Sequence, residues 1–443
     1  MASTYLTRTP SSSGNRKTFT FSFWFKRSSL SSNQVIYNQY NSSNGYNSFI
    51  GFNSNNTFVI WDYTNAYQLN LRTNRLFRDV NAWYHAVIAV DTTQATASNR
   101  AKLYINGVQE TSFSPATYPS QNLDLRVNEY QPQQIGVFRY GSTNADFFDG
   151  SMSYVAFVDG TAELPTIFGE TDSVTGQWKI KTDITPSVAW GTNGFLILKN
   201  GNSLTDESTN TNNFTLGAGT LTNTLDCPSN VFATMNPLDN AYASSTFSNG
   251  NNTIVTNSGN YTYNSSTLAF SSGKYYCEAK LVSASAEDII GISSKLATSS
   301  TVIMGSNVYS QGYRSGGNSY TNNVQSSYGS SYTTGDIIGL AIDADNQKLY
   351  FSKNGTFQNS GDPESGATGT GALSFPTDND GVYYITMYDI DGSGSCTWST
   401  NFGNGYFGTT AVSSAGTPGS TPGTFEYDVP SGYQPLSTKG LNA

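Results

Sequence analysis

The sequence predicts an all-β protein built from two sandwiches in tandem. Three observations carry this reading: the composition, a strict two-residue alternation in the strongest segment, and a hairpin that occurs twice. Charged residues make up 12% of the 443 residues and aromatics 14%, with 29 Tyr, 25 Phe and 6 Trp. A helix bundle or coiled coil needs abundant Glu, Lys, Leu and Ala, which this composition does not supply. The 42 Gly, with many Ser, Thr and Asn, fit short strands joined by turns. The length suits two large all-β domains, each able to bury a core.

The clearest element is predicted at Thr18–Lys26. Phe19, Phe21, Phe23 and Phe25 fall on one face, and Thr20, Ser22, Trp24 and Lys26 on the other. That period of two is a strand signature. Further strands are predicted at Ser48–Phe52, Thr57–Trp61, Trp83–Val90, Lys102–Ile105, Gln134–Phe138 and Met152–Phe157. Asn, Ser, Thr and Gly clusters between them read as turns. Leu164–Phe168 is a short stretch of modest helical potential. A second block has strands at Lys274–Leu281, Asp288–Ser293, Ile337–Ile342, Lys348–Ser352, Val382–Met387 and Cys396–Ser399. The domains are placed at 1–215 and 240–443. Residues 216–239, with Cys227-Pro228 and Asn236-Pro237, read as an extended connector, and Thr409–Thr424 as a mobile loop.

The two blocks share an echo. Ala86–Asp91 leads through a polar turn to Lys102–Ile105 and then Asn106-Gly107. Ile338–Asp343 leads to Lys348–Phe351 and then Asn354-Gly355. Asn-Gly after an apolar strand is a hairpin signal, and two copies point to two related sandwiches.

Composition also excludes function classes. The net charge of −9 argues against an extended phosphate-binding face, so no nucleic-acid partner is expected. The single His removes most His-based metal sites and leaves one possible His-dependent triad. Cys227, Cys277 and Cys396 are odd in number and widely spaced, which reads as free thiols. No signal peptide is visible at Met1–Tyr5, and no apolar run is long enough for membrane insertion.

Four segments of the first block resemble the laminin-G-like, concanavalin A-type lectin/glucanase jelly roll. They are Phe19–Arg27, Trp83–Val87 with Asp91, Lys102–Gly107, and Phe148–Val155. The second block resembles a SPRY domain, also a concanavalin-like sandwich. Its matching segments are Lys274–Glu278, Ile290–Ile292, Gly335–Gly339 with Asp343, Leu349–Phe351, Asn354-Gly355, Asn401–Gly403 and Gly432–Leu436. The resemblance implies two concanavalin A-like jelly-roll β-sandwiches in tandem. The whole chain is similar to the tandem lectin-like virion proteins of marine bacteriophages, through Phe168–Asp172 with Gly176–Trp178, Asn236–Leu238 and Tyr427–Tyr433. That implies a tail-fibre, receptor-binding or adhesin role on the virion surface, with other virion proteins and a host surface glycan or receptor as partners. A capsid decoration role is the alternative. Synthesis is expected in the host cytoplasm. Charge-poor strand edges suggest a homo-oligomer.

Glucanases on the resembled fold need carboxylates two apart on a strand, aimed together into a cleft. Glu170-Thr171-Asp172 lacks the further Glu, and Glu287-Asp288 point to opposite faces, so no enzyme is expected and a carbohydrate-active enzyme is the remote alternative. His85, inside an apolar strand, reads as structural. Asp389 and Asp391 open a calcium-like loop of alternating oxygen ligands followed by Gly392, though no bidentate Glu follows. Asp91 and Asp149 are lesser calcium candidates, and no other cofactor is implied. Tyr309, Tyr313, Tyr320, Tyr328 and Tyr332 cluster between two strands, either as a recognition loop with Arg314 as its exposed anchor or, the more expected alternative, with several rings packed in the core or between sheets. Tyr offers a flat apolar body with a polar tip, and Arg and Tyr are frequent anchors of recognition. Tyr40, Tyr46 and Tyr63 form a similar cluster in the first block, while Trp61 is expected in the core.

Overall fold

A computed structural model describes residues 3–30, 32–239, 244–257, 261–295, 304–376, 381–389, 394–419 and 421–442. The chain divides into two compact units, Met1–Asn223 with Cys227–Ser229, and Thr224–Asp226 with Asn230–Ala443. Residues read as a connector are shared between them. Thr215–Ala218 is an edge strand of the first unit, and Phe232, Ala233 and Met235 are buried in the second.

The first unit is a sandwich of two antiparallel sheets. One runs Phe113–Thr117, Tyr67–Leu76, Thr57–Tyr63, Asn47–Phe52, Gln34–Tyr40, Gln133–Ile135, Tyr5–Arg8 and Thr215–Ala218. The other runs Phe195–Ile197, Gly150–Asp159, Thr18–Arg27, Tyr84–Asp91, Ala101–Ile105 and Val108–Glu110. The four predicted Phe of Thr18–Arg27 face inward, where Phe21 lies 4.5 Å from the Tyr37 ring and 5.1 Å from Phe157. Each such side chain contributes about 2–3 kcal/mol through removal from water.

Alternation correctly gave the inner face but not the state of the outer one. Trp24 and Ser22 are buried as well, because residues 164–196 lie across that side of the sheet. Phe168, Ile184, Val188 and Trp190 pack there on Val87, Ala89, Ala156 and Val158 as a second small core. The helical stretch expected near Leu164 is a single 3-10 turn, Pro165–Ile167.

The second unit repeats the plan. Its larger sheet centres on Thr397–Asn401, Lys274–Ser283, Ile337–Asp343 and Lys348–Lys353, and Gln434–Pro435 runs parallel beside Lys274–Ser283. The smaller sheet runs Thr262–Ser265, Tyr384–Asp389, Asp288–Ser293, Ser310–Arg314, Asn318–Thr321 and Val324–Ser327. The C-terminal segment crosses the outer side of the larger sheet. Phe425, Val429 and Tyr433 pack on Tyr276, Ala341 and Tyr350. The Glu278 carboxylate fastens it, accepting from the backbone N–H of Glu426 (2.8 Å) and Tyr427 (2.9 Å). The Thr409–Thr424 stretch, read as mobile, is tied down: Thr417 N–H donates to Asp428, Thr421 N–H to Gln434, and Gly416 N–H to the Phe425 carbonyl.

The repeated hairpin holds at the level of single hydrogen bonds. Asn106 donates its backbone N–H to the His85 carbonyl, and its side chain accepts from His85 N–H at 2.8 Å. Asn354 does the same with Ile337, at 2.8 Å and 2.9 Å. Both Asn and the following Gly have positive φ, 49° and 79° in one turn and 49° and 81° in the other, as the type I′ hairpin requires.

Candidate functional site

The candidate site is the outer face of the first unit's larger sheet. Strand register assembles it from residues far apart in sequence. Tyr40 pairs with Asn47, Asn47 with Tyr63, and Tyr63 with Tyr67. One row across four strands therefore carries three tyrosines and an amide. The next row is Asn38, Phe49, Trp61 and Asn70, and the third is Val35, Gly51, Val59 and Arg72. Cross-strand partners share a face, so all twelve positions belong to one surface.

Ring contacts make that surface a continuous platform. Phe49 and Trp61 stack in parallel at 5.2 Å, and Trp61 meets the Tyr67 ring edge-on at 5.9 Å. Tyr63 and Tyr67 are T-shaped at 5.4 Å. The hairpin of Phe138–Tyr140 and Thr143–Ala145 borders the platform, with Phe138 6.1 Å from Trp61 and Tyr140 5.3 Å from Tyr40. Arg139 N–H donates to the Asn38 side chain at 2.9 Å, which holds that hairpin beside the sheet. Tyr67 and Tyr140 are 50% and 58% exposed, and Tyr63 37%, so water reaches the rings. Tyr46 sits at the rim, where its hydroxyl accepts from Asn65 at 3.1 Å and the Arg126 guanidinium stands 5.5 Å over its ring.

Of the residues named from sequence, Tyr40 and Tyr63 share the row and Tyr46 lies at its edge. Trp61, expected in the core, is half-buried on the outer face. The cause is the alternation itself: Phe58 and Ile60 point inward, which sends Val59, Trp61 and Tyr63 outward. Tyr67, Phe138 and Tyr140 were missed. Tyr67 begins a strand, Tyr67–Leu76, whose Gln, Asn, Arg and Thr content hid its β character.

The second unit's tyrosines do not form an exposed loop. The segment is a three-strand meander, Ser310–Arg314, Asn318–Thr321 and Val324–Ser327. Tyr313 is fully buried and its hydroxyl donates to the Ser330 carbonyl. Tyr328 is buried too, and its hydroxyl accepts from Phe351 N–H at 3.1 Å. Tyr332 bonds the carbonyls of Asp288 (2.9 Å) and Tyr313 (2.8 Å). Tyr320 is also buried, while Tyr309 is half-buried with Lys295 5.4 Å over its ring. Arg314, expected as an exposed anchor, is 8% exposed, ion-paired with Glu287 and set over Tyr320 at 5.4 Å. These two charges line a polar recess of about 220 Å³ with Asn318 and Gln325. The rings are needed inside because Ser, Gly and Asn supply little apolar volume to this sheet.

His85 is fully buried; its Nδ1 accepts from the Trp178 indole N–H at 3.0 Å and its Nε2 bonds Ser22 at 2.9 Å. Burial holds it neutral, with a pKa pushed down to about 3. Glu170 and Asp172 lie on an exposed hairpin and both engage Lys179, at 3.5 Å and 3.1 Å. Asp91 accepts from Thr93 and Gln94. Asp389 is buried and points into the second core, while Asp391 lies outside the described residues.

Comparison with known proteins agrees with this architecture. Residues 2–167 match the concanavalin A-like lectin/glucanases superfamily, and residues 274–374 match the SPRY domain. No curated protein matches the sequence. Among solved structures, the chain is similar to the SPRY domain of human HERC1, with 19% identity, a TM-score of 0.30, and coverage of 38% of this chain and 96% of that one. It is similar to stonustoxin at 18% identity and a TM-score of 0.29, covering 38% of this chain and 27% of that one. It is also similar to a heptameric SAP-like pentraxin from Limulus polyphemus, at 15% identity and a TM-score of 0.28, over 37% of this chain and 72% of that one. This chain thus carries a concanavalin A-like domain followed by a SPRY domain.

Proposed function

We propose that this protein is a non-catalytic recognition component of a bacteriophage particle, placed in the tail or fibre apparatus, that binds host surface glycan through its first domain. The observation that carries the reading is the row of Tyr40, Tyr63 and Tyr67 beside Trp61 on one water-accessible sheet face. Sugar rings present apolar C–H faces that lie flat on aromatic rings, while their hydroxyls need amide partners. Asn70, half-buried, stands in the row of Trp61, whereas Asn47 is buried and held by Asn38 and the Arg139 carbonyl. Shallow recognition of this kind gains strength from many copies on one particle. Glu170 and Asp172, the pair nearest a glucanase pattern, are engaged by one lysine on an exposed hairpin.

The virion placement is supported by the motifs shared with marine phage proteins and is tested separately. Wild-type protein and the variants Trp61→Ala and Tyr67→Ala are assayed on immobilised host surface polysaccharide. Each ring contributes roughly a three- to tenfold share of affinity. Unchanged binding in both variants, or none in the wild type, overturns the glycan reading. Gold-labelled antibody on intact particles places the chain; label on the shell in place of the tail replaces the adhesin with a decoration protein.

A further inference from the structure

The second unit's two sheets meet at a polar spot inside an otherwise apolar core. Asp288 opens its strand, Asp389 ends the neighbouring one, and the two are direct cross-strand partners. They therefore share a face, the inner one, with Ile290, Ile292, Ile385 and Met387. Cys396 lies just before Thr397–Asn401 in the opposite sheet and brings its thiol to them. A ligand atom from each of the three lies within 4.8 Å of the others, and all three residues are 0% exposed. Hydroxyls complete the surround: Thr256 donates to Asp389 at 2.7 Å, and Ser285 to Asp288 at 2.8 Å and Asp389 at 3.2 Å.

The strand Thr262–Ser265 supplies a second, independent observation. Thr262 is the partner of Asp389 on its other side, and Asn264 lies two residues along the same inner face. Both are 0% exposed, yet Thr262 Oγ1 and both amide atoms of Asn264 have no hydrogen-bond partner among the described residues. Orphaned polar groups in a native core call for a bound water or ion.

We infer that Asp288, Asp389 and Cys396 form a zinc site, with the Thr262 hydroxyl turned to the ion's remaining position. The donor set selects the metal. Calcium and magnesium take oxygen ligands, whereas a thiolate with carboxylates suits zinc, at about 2.3 Å for sulfur and about 2.0–2.2 Å for oxygen. Zinc binding would require the three ligand atoms, within 4.8 Å of one another, to draw together to tetrahedral spacing. On binding, the Cys396 S–H proton leaves to solvent and the sulfur lone pair goes to zinc; no electron transfer is involved. Carboxylates from one sheet and a thiolate from the other would then tie the two sheets together.

The test uses the full chain with Cys227→Ser, which removes the half-buried thiol of the first unit. After loading with Zn²⁺ and gel filtration, elemental analysis is expected to find one zinc per chain. Replacement by Co²⁺ is expected to give a thiolate-to-cobalt charge-transfer band. Further substitution Cys396→Ser removes that band and weakens zinc at least tenfold, with an unchanged circular dichroism spectrum. Thr262→Val keeps the band and weakens zinc by roughly tenfold, the loss typical of a residue beside the ligands. Substoichiometric zinc, no charge-transfer band, or a band that survives Cys396→Ser overturns the site. The cobalt spectrum of the chain with Cys396 intact decides the matter even where the serine variant fails to fold.

Discussion

The two units share a hairpin down to its hydrogen bonds, yet they treat their outer faces differently. In each unit a late segment crosses one sheet and seals it with aromatics: Phe168 and Trp190 in the first, Phe425 and Tyr433 in the second. In the second unit the smaller sheet is closed as well, with Tyr263, Ile289, Met304, Tyr320 and Tyr388 clustered on its outer side. In the first unit the larger sheet is only partly covered: Val35, Phe49 and Val59 are buried beside the Phe138–Tyr140 hairpin, while Tyr63, Tyr67 and Tyr140 remain exposed. The same residue type is thus core filling in one unit and surface in the other. What separates the two uses is whether chain is spent covering the face, and only the uncovered face can meet a ligand.

The strongest way to break this comparison is to remove the covering. Trp190→Ala and Tyr433→Ala each delete a fully buried ring, and Tyr433 also loses its hydrogen bond to the Pro363 carbonyl at 3.0 Å. Truncations of this size cost about 3–5 kcal/mol. Chemical unfolding followed by fluorescence is expected to show Trp190→Ala shifting the first unit's transition and Tyr433→Ala the second's. Losses below about 1 kcal/mol would mean that these segments lie on the sheets without being part of the fold.

A smaller effect comes from pH, with opposite signs for the buried carboxyl of the second unit and the buried histidine of the first. Glu278 is held at a pKa of about 7 by burial, above the ordinary 4.5. The stability it contributes is present below pH 4.5 and is lost as pH rises through 7, an effect of up to about 3 kcal/mol. His85 is neutral when folded and titrates near 6.5 when unfolded, so its contribution is lost as pH falls below 6.5. Asp62 in the first unit, pushed up to about 7 by burial, acts in the sense of Glu278 and against His85. The single contributions are therefore isolated by subtraction. Wild type minus Glu278→Gln is expected to fall between pH 5 and 8, and wild type minus His85→Gln to fall between pH 6.5 and 4.5. Parallel curves for wild type and variant would remove either assignment.

How much of this was legible depended on whether a residue's role was local. Alternation at Phe19–Phe25 and the two Asn-Gly turns are local signals, and the structure holds both. The sealing of Trp24 was not legible, because it depends on residues 164–196 returning across the sheet. The meander at 310–327 was hidden because Ser, Gly and Asn carry the strand, with tyrosines as its only bulky groups. The platform was half legible: Tyr40, Tyr46 and Tyr63 stood out as a cluster, but register alone brings Tyr67 and Asn70 beside them. Asp288 and Cys396 were a strand start and a lone thiol in the sequence. Only the packing of two sheets brings them together.

The shared turn sharpens the comparison at a finer level. A Cβ on Gly107 would sit 2.5 Å from the Trp178 ring, and one on Gly355 would sit 2.6 Å from the Tyr427 ring. Both glycines also hold positive φ, where an L side chain is strained. Gly107→Ala and Gly355→Ala are therefore expected to cost a similar amount, about 1–3 kcal/mol each. A large difference between the two melting shifts would show that the turns match in backbone geometry but not in what packs on them.

The smallest stability change is expected where the functional change is largest. Tyr67 is half exposed and touches Trp61 and Tyr63 only at ring edges. Its removal uncovers little apolar area and leaves the inner row of Phe58, Ile60, Leu69 and Leu71 intact. Tyr67→Ala is therefore expected to shift stability by no more than about 0.5 kcal/mol. Tyr313→Ala in the second unit removes a fully buried ring that meets Tyr328, Tyr332 and Phe351 at 5.1–5.4 Å. It is expected to cost several kcal/mol, in the range of about 3–5 kcal/mol, and to leave glycan binding by the first unit unchanged. Measuring melting and glycan binding on both variants separates the two uses of tyrosine. A Tyr67→Ala protein that melts early, or a Tyr313→Ala protein that folds but no longer binds, would show that burial does not divide recognition from packing in this chain.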